Sequence, residues 1–207
     1  GYQDGEQMPF AELRYIVSRI AAATSLPLSV DLEAGYGQGP NEILAHIKAL
    51  DALGVVGINL EDSLVHDTRE LVQVKVFAEC LAAIKAQLKR EQKELFINVR
   101  TDAFLLGLTE ALPETIVRLQ HYEAAGADGI FVPGLTQATD IAAVVSATDL
   151  PINVMCMPDL PDFETLAALG VKRISMGNFM HEALLNQLGE LFKQVKSQGN
   201  FSSLGIC

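Results

Sequence analysis

Three short apolar runs in this chain finish in acidic residues, and the third adds an arginine. They end Val30-Asp31-Leu32-Glu33, Asn59-Leu60-Glu61-Asp62 and Asn98-Val99-Arg100-Thr101-Asp102. Asp31 and Glu33 are two apart, so on an extended backbone both face the same side. Carboxylates crowded at one rim repel one another unless a hard cation sits among them. Mg²⁺ (or Mn²⁺), held by a few carboxylates and several waters, suits such an arrangement of strand ends. Arg100 offers a planar fork for a substrate carboxylate or phosphonate. Taken singly, Asp62 and Asp102 read as helix-cap or turn residues. The set Asp31, Glu33, Glu61 and Arg100 reads as functional, because an apolar strand has no structural reason to end in charges aimed at a shared mouth.

The elements that must position these groups follow from the pattern. Candidate strands are Leu28–Leu32, Val56–Glu61, Leu95–Arg100, Gly129–Val132, Ile152–Met155 and Arg173–Met176. The first of them are near-continuous apolar runs, as in parallel strands covered on both faces. Amphipathic stretches alternate with them: Pro9–Ala23, Glu42–Leu53, Val72–Lys89, Leu112–Ala125, Ala138–Ala147, Phe163–Leu169 and Glu182–Ser197. The segments around Gly54, Gly126 and Gly170 echo one another, each a helix stopped by glycine before a new strand. Repetition of one βα unit marks a barrel or a doubly wound sheet. No Gly-x-Gly-x-x-Gly fingerprint opens a helix, which disfavours a dinucleotide site. The expected fold is α/β, a (β/α)8 TIM barrel forming a single domain over residues 1–207. Six strands are counted where a closed barrel has eight, so two βα units, about 50 residues on the usual barrel length, are expected before Gly1.

Composition narrows the partners. Of 207 residues, 49% are hydrophobic and 20% charged, enough to form a core. Fifteen Lys+Arg against 26 Asp+Glu leave a net charge of −11. That balance argues against nucleic acid or an anionic membrane as partner. No apolar run is long enough for a transmembrane helix. Three cysteines, Cys80, Cys156 and Cys207, lack metal-site spacing and fit a reducing cytoplasm.

The linked motifs resemble those of the isocitrate lyase/phosphoenolpyruvate mutase superfamily. Asp31-Leu32-Glu33-Ala34-Gly35-Tyr36-Gly37, Gly57-Ile58-Asn59-Leu60-Glu61-Asp62 and Asn98-Val99-Arg100-Thr101-Asp102-Ala103 are similar to its three signature segments, in order and spacing. The resemblance covers nearly the whole chain. It implies a lyase or mutase (isomerase) that makes or breaks a C–C or P–C bond next to a 2-oxo acid through a metal-stabilised enolate. By the same resemblance Asp31, Glu33 and Glu61 hold Mg²⁺ mostly through water, with Asp4 in support. Arg100 binds the substrate carboxylate, and Asn98, Gly35, Tyr36 and Gly37 border the substrate. Such barrels form dimers or tetramers that exchange the last helix, here residues 182–197. The substrate is then a small anionic 2-oxo acid or a 2-hydroxy dicarboxylate.

Some segments depart from the family pattern. Family lyases carry a Cys-bearing loop after the strand matching Glu61, whereas this chain runs Ser63-Leu64-Val65-His66-Asp67-Thr68-Arg69. It reads as a short-loop member, similar to carboxyvinyl-carboxyphosphonate phosphorylmutase, unless loop residues are missing. A histidine of the mutases is replaced by Val132-Pro133-Gly134. No general acid is assigned. His66 is a candidate by position; His46, His121 and His181 read as helix-face residues. Cys156 reads as a buried thiol, Phe131, Met155, Met157 and Met176 as core, and Asn153 and Asn178 as weak substrate contacts. Pro158 to Pro161 border the mouth. The alternative function is a non-catalytic 2-oxo-acid-binding barrel protein. A Schiff-base aldolase is disfavoured, because no strand end carries a lysine.

Overall fold

The computed structural model describes residues 2–3, 5–65 and 67–205; Asp4, His66 and Cys207 lie outside the described residues. Helix α1 (Phe10–Ala21) precedes strand β1 (Leu28–Asp31), followed by α2 (Pro40–Asp51) and β2 (Val55–Glu61). A hairpin then interrupts the βα rhythm, β3 (Ser63–Val65) and β4 (Arg69–Leu71). The alternation resumes with α3 (Val74–Arg90), β5 (Phe96–Arg100), α4 (Ala111–Ala124), β6 (Gly129–Val132), α5 (Ala138–Ser146), β7 (Ile152–Met155), α6 (Phe163–Ala168), β8 (Arg173–Ser175) and α7 (Phe179–Gln198). Six strands form one curled parallel sheet in the order β1-β2-β5-β6-β7-β8, and β3 pairs only with β4. Consecutive helices cover the sheet, as the βαβ pattern requires.

The sheet has two chemically different faces. Ile58, Leu60, Ile97, Val99, Ile130, Val132, Ile152 and Val154 join residues of α2 and α3, including Ile43, Ile47, Leu81 and Ile84, in one buried cluster. The alternate residues, Asn59, Glu61, Asn98, Arg100 and Asn153, point the other way. This face is polar rather than apolar, which corrects the expectation of two apolar faces. Its burial is tolerated because the amides pair: Asn98 Nδ2 donates to Asn59 Oδ1 at 2.9 Å, and Asn153 Nδ2 to Ser175 Oγ at 2.9 Å.

The echoed glycines end helices as their spacing implies. Gly54, Gly126 and Gly170 all hold φ between 85° and 94°, a left-handed turn that L side chains resist. Helix α7 differs from the others. It has no buried residue, and Leu184, Leu185, Leu188 and Phe192 are exposed along it. Among the described residues no helix is long and apolar enough to cross a membrane.

Candidate active site at the carboxyl ends of β1, β2 and β5

β1, β2 and β5 are neighbours, so their carboxyl ends share one rim. Register pairs Asp31 with Asn59 and Glu61 with Arg100. Pairing continues past β1, where Glu61 N donates to Glu33 O at 2.8 Å, and this sets Glu33 beside Glu61. Register therefore brings Glu61 and Arg100 together, and the backbone bond rather than strand parity sets Glu33 beside them, since β1 ends at Asp31 and Glu33 lies past it in the turn.

Glu61 is the buried centre of the rim. It is 3% exposed. Its Oε2 lies 3.1 Å from Arg100 Nη1 yet completes no hydrogen bond. Burial pushes its carboxyl up to about 7, against the pull of Arg100 and Arg69. Arg100 does not hold its whole fork open. Nε and Nη2 donate to Asp102 Oδ1 and Oδ2 at 2.7 and 3.2 Å, leaving Nη1 as the arm nearest Glu61.

The sequence reading missed the hairpin and what it carries. Arg69 Nη1 lies 2.5 Å from Glu61 Oε1, 2.6 Å from Ser63 Oγ and 2.8 Å from Asp102 Oδ2. Ser63 Oγ also donates to Asp102 Oδ2 at 2.5 Å. The available signal was a lone arginine just beyond the Glu61-Asp62 pair.

Asp62 and Asp102 are not caps or turn formers. Both are fully buried. Asp62 Oδ2 accepts from Arg118 Nη1 at 2.9 Å and from the Tyr122 hydroxyl at 2.7 Å. Desolvation raises the Asp62 carboxyl, and Arg118 opposes the rise. Arg118 Nη1 also donates to Val72 O, while Val72 N donates to Asp62 O, at 2.9 and 2.8 Å. Asp62 and Arg118 thus fasten the hairpin's exit to α4.

The loop after β1 forms the opposite wall. Glu33 adopts φ 47° and Tyr36 φ 58°, left-handed backbone at non-glycine residues, a form of strain that clusters at functional sites. Glu33 Oε2 accepts from Gly5 N at 2.8 Å and Glu6 N at 2.6 Å, and its Oε1 accepts from the Tyr36 hydroxyl at 3.1 Å. Burial and Glu33 together push the Tyr36 hydroxyl up. Gly35 holds φ 107° where a Cβ would meet Ile43 Cγ1 at 2.7 Å, so its glycine answers to packing on α2. Asp31 is exposed, and its Oδ1 accepts from Glu33 N at 3.1 Å.

A cavity of about 230 Å³ lies between these walls, lined by Glu6, Glu33, Gly37, Glu61, Leu64 and Val65 among others. That size suits a small acid rather than a large cofactor. Asn98 lies two residues below Arg100 on the same face, paired with Asn59 beneath the rim.

Among the described residues, no three His, Cys, Asp or Glu side chains lie close enough to hold a metal directly. The donor set is nevertheless all oxygen, and the buried Glu61 Oε2 has no hydrogen-bond partner. These residues fit a hydrated hard cation held through water, not a bare ion in a carboxylate cage.

Other sequence expectations fared differently. His46 stacks on Phe10 with ring centroids 3.9 Å apart, and its Nδ1 pairs with Gly35 O at 3.0 Å. Cys156 is half-buried rather than buried, and Met176 is exposed rather than core, because each lies just past the end of its strand, β7 or β8, in the following loop. Asn153 pairs with Ser175, and Asn178 Nδ2 donates to Glu182 Oε1 at 2.5 Å.

The family model described as phosphoenolpyruvate phosphomutase matches residues 1–196. An oxaloacetate decarboxylase of Bradyrhizobium sp. is 30% identical over 200 residues, which cover 95% of this chain and 68% of that protein. A solved structure of a candidate phosphonomutase from Burkholderia cenocepacia is 41% identical, with a TM-score of 0.85 over 91% of this chain and 77% of that one. A phosphonopyruvate hydrolase solved with oxalate and Mg²⁺ is 26% identical, with a TM-score of 0.79 over 93% of this chain and 69% of that one. The chain spans 62% of the length of the first curated relatives it matches.

Proposed function

The chain belongs to the phosphoenolpyruvate phosphomutase family of the isocitrate lyase/phosphoenolpyruvate mutase superfamily, and from that premise we propose that it is a divalent-metal-dependent lyase acting on a small 2-oxo acid. The bond concerned is the C–C (or P–C) bond next to the 2-oxo group. Decarboxylation of a 2-oxo dicarboxylate is the leading reaction, supported by the oxaloacetate decarboxylase relative.

The observation that carries this reading is the buried Glu61–Arg100 pair at the rim, where Glu61 keeps one carboxylate oxygen without a hydrogen bond and is itself a wall residue of the small cavity. Asp31, Glu33 and Glu61 would hold Mg²⁺ through water, with Asp4 in support. A bound divalent cation supplies Lewis-acid polarisation of a 2-oxo group. Arg100 Nη1 receives the substrate carboxylate, while Asp102 fixes the guanidinium plane from behind. Gly35, Tyr36 and Gly37 close the wall, and burial of the rim strengthens every charge interaction within it. Asn98 supports Arg100 from below.

In this reading the six parallel strands are part of an eight-stranded (β/α)8 barrel. The apolar face of α7 is covered by exchange with a partner subunit, giving a dimer or tetramer.

Calorimetric titration tests the site. Oxalate, pyruvate and oxaloacetate are each titrated with and without Mg²⁺, and oxaloacetate consumption is followed in parallel. Oxalate binding that needs Mg²⁺ and disappears in Glu61→Gln is the expected result. Absence of binding to all of the acids overturns the reading, and binding without turnover reduces the protein to a 2-oxo-acid binder.

A further inference from the structure

We propose that Arg69 determines substrate specificity, as a second guanidinium that receives the distal carboxylate of a dicarboxylate while Arg100 receives the one beside the 2-oxo group. The inference rests on the 2-oxo-acid reading above and names the substrate class within it.

Arg69 and Arg100 touch the same two carboxylates, Glu61 and Asp102. Two guanidinium groups therefore share one buried acidic pair. Both side chains are largely shielded, at 12% and 13% exposure, so their charges act in a low dielectric. Arg69 Nη1 has only two hydrogens but faces three acceptors, Glu61 Oε1, Ser63 Oγ and Asp102 Oδ2. Ser63 also donates to Asp102, so that acceptor stays satisfied if Arg69 turns to another anion.

Placement on the hairpin brings Arg69 next to the cavity wall. Arg69 is the register partner of Val65 and bonds Glu61, and both of those residues line the cavity. Val65 lines the cavity and sits against Gly5, where an added Cβ would meet it at 2.6 Å. The hairpin is hydrogen-bonded outside the main sheet, so Arg69 and Arg100 reach Glu61 from two separate elements, the hairpin and β5. A monocarboxylate needs one of these groups; a dicarboxylate can use both. Arginine is suited to this by its planar fork.

The test compares a dicarboxylate with a monocarboxylate of the same head group. Wild-type protein, Arg69→Gln and Arg69→Lys are titrated calorimetrically with 3,3-difluorooxaloacetate and with pyruvate, Mg²⁺ present throughout. Arg69→Gln is expected to weaken 3,3-difluorooxaloacetate about tenfold or more beyond whatever loss it causes for pyruvate, the effect of a charged hydrogen bond that only the dicarboxylate makes. Arg69→Lys keeps the charge without the fork and is expected to recover part of the loss. If Arg69→Gln melts below the assay temperature, Arg69→Lys carries the comparison, with the same selectivity at smaller size. Equal weakening of both ligands, or no weakening of either, overturns the inference while the functional reading stands. Wild-type protein that binds neither ligand overturns the functional reading and this inference with it.

Discussion

At Glu61, burial opposes ionisation while Arg69 and Arg100 favour it, and burial prevails by enough to raise the carboxyl to about 7. A cation arriving through water would reverse that balance. Replacement of Arg100 separates charge from shape. Arg100→Lys keeps a counter-charge for Asp102 but loses the fork, so a drop in kcat/KM of about tenfold or more is expected with an unchanged melting temperature; steady-state kinetics beside a thermal melt checks both. Removing Arg100 altogether mixes two effects, because Asp102 is fully buried and would lose a partner. The role of Asp62 was not legible in the sequence. What makes a buried aspartate tolerable is a distant arginine, and Arg118 lies 56 residues beyond Asp62. No local pattern announces such a pair.

Elements were read from period and punctuation, and those signals are strong where the core is. β6 and β7 begin and end where the apolar runs do, and β1, β2 and β5 differ from their expected bounds by a residue. The hairpin escaped because its strands have three residues each, too few to show alternation. It is held by the Asp62–Arg118 pair rather than by propensity. Arg118→Met should therefore destabilise the fold by about 3–5 kcal/mol, the cost of a buried charge left alone, measured by urea unfolding. Adding Asp62→Asn should restore part of that loss. Helix α6 gives a pH signature. Asp162 caps it by accepting from Thr165 N at 2.8 Å, and this holds its carboxyl below the usual aspartate range. Its contribution is present above that range and is lost as pH falls through the lower folded value. Acid titration of unfolding should thus show a smaller loss of stability at low pH in Asp162→Asn than in the parent.

Over the whole molecule, a net charge of −11 opposes the approach of an acid, so attraction must be local to Arg69, Arg100 and a cation. The other molecular-scale feature is α7, with its exposed Leu184, Leu185, Leu188 and Phe192. If subunits exchange this helix, Leu188→Glu with Phe192→Glu should shift the protein to a smaller species in light scattering while far-UV dichroism holds. The two-faced sheet has a consequence for substitutions. Along β2 and β5, neighbouring residues answer to different demands: Ile58, Leu60, Ile97 and Val99 to the helix-packed layer, Asn59, Glu61, Asn98 and Arg100 to the polar face. Substitutions on the polar face can therefore alter chemistry while the apolar packing that holds the sheet stays in place.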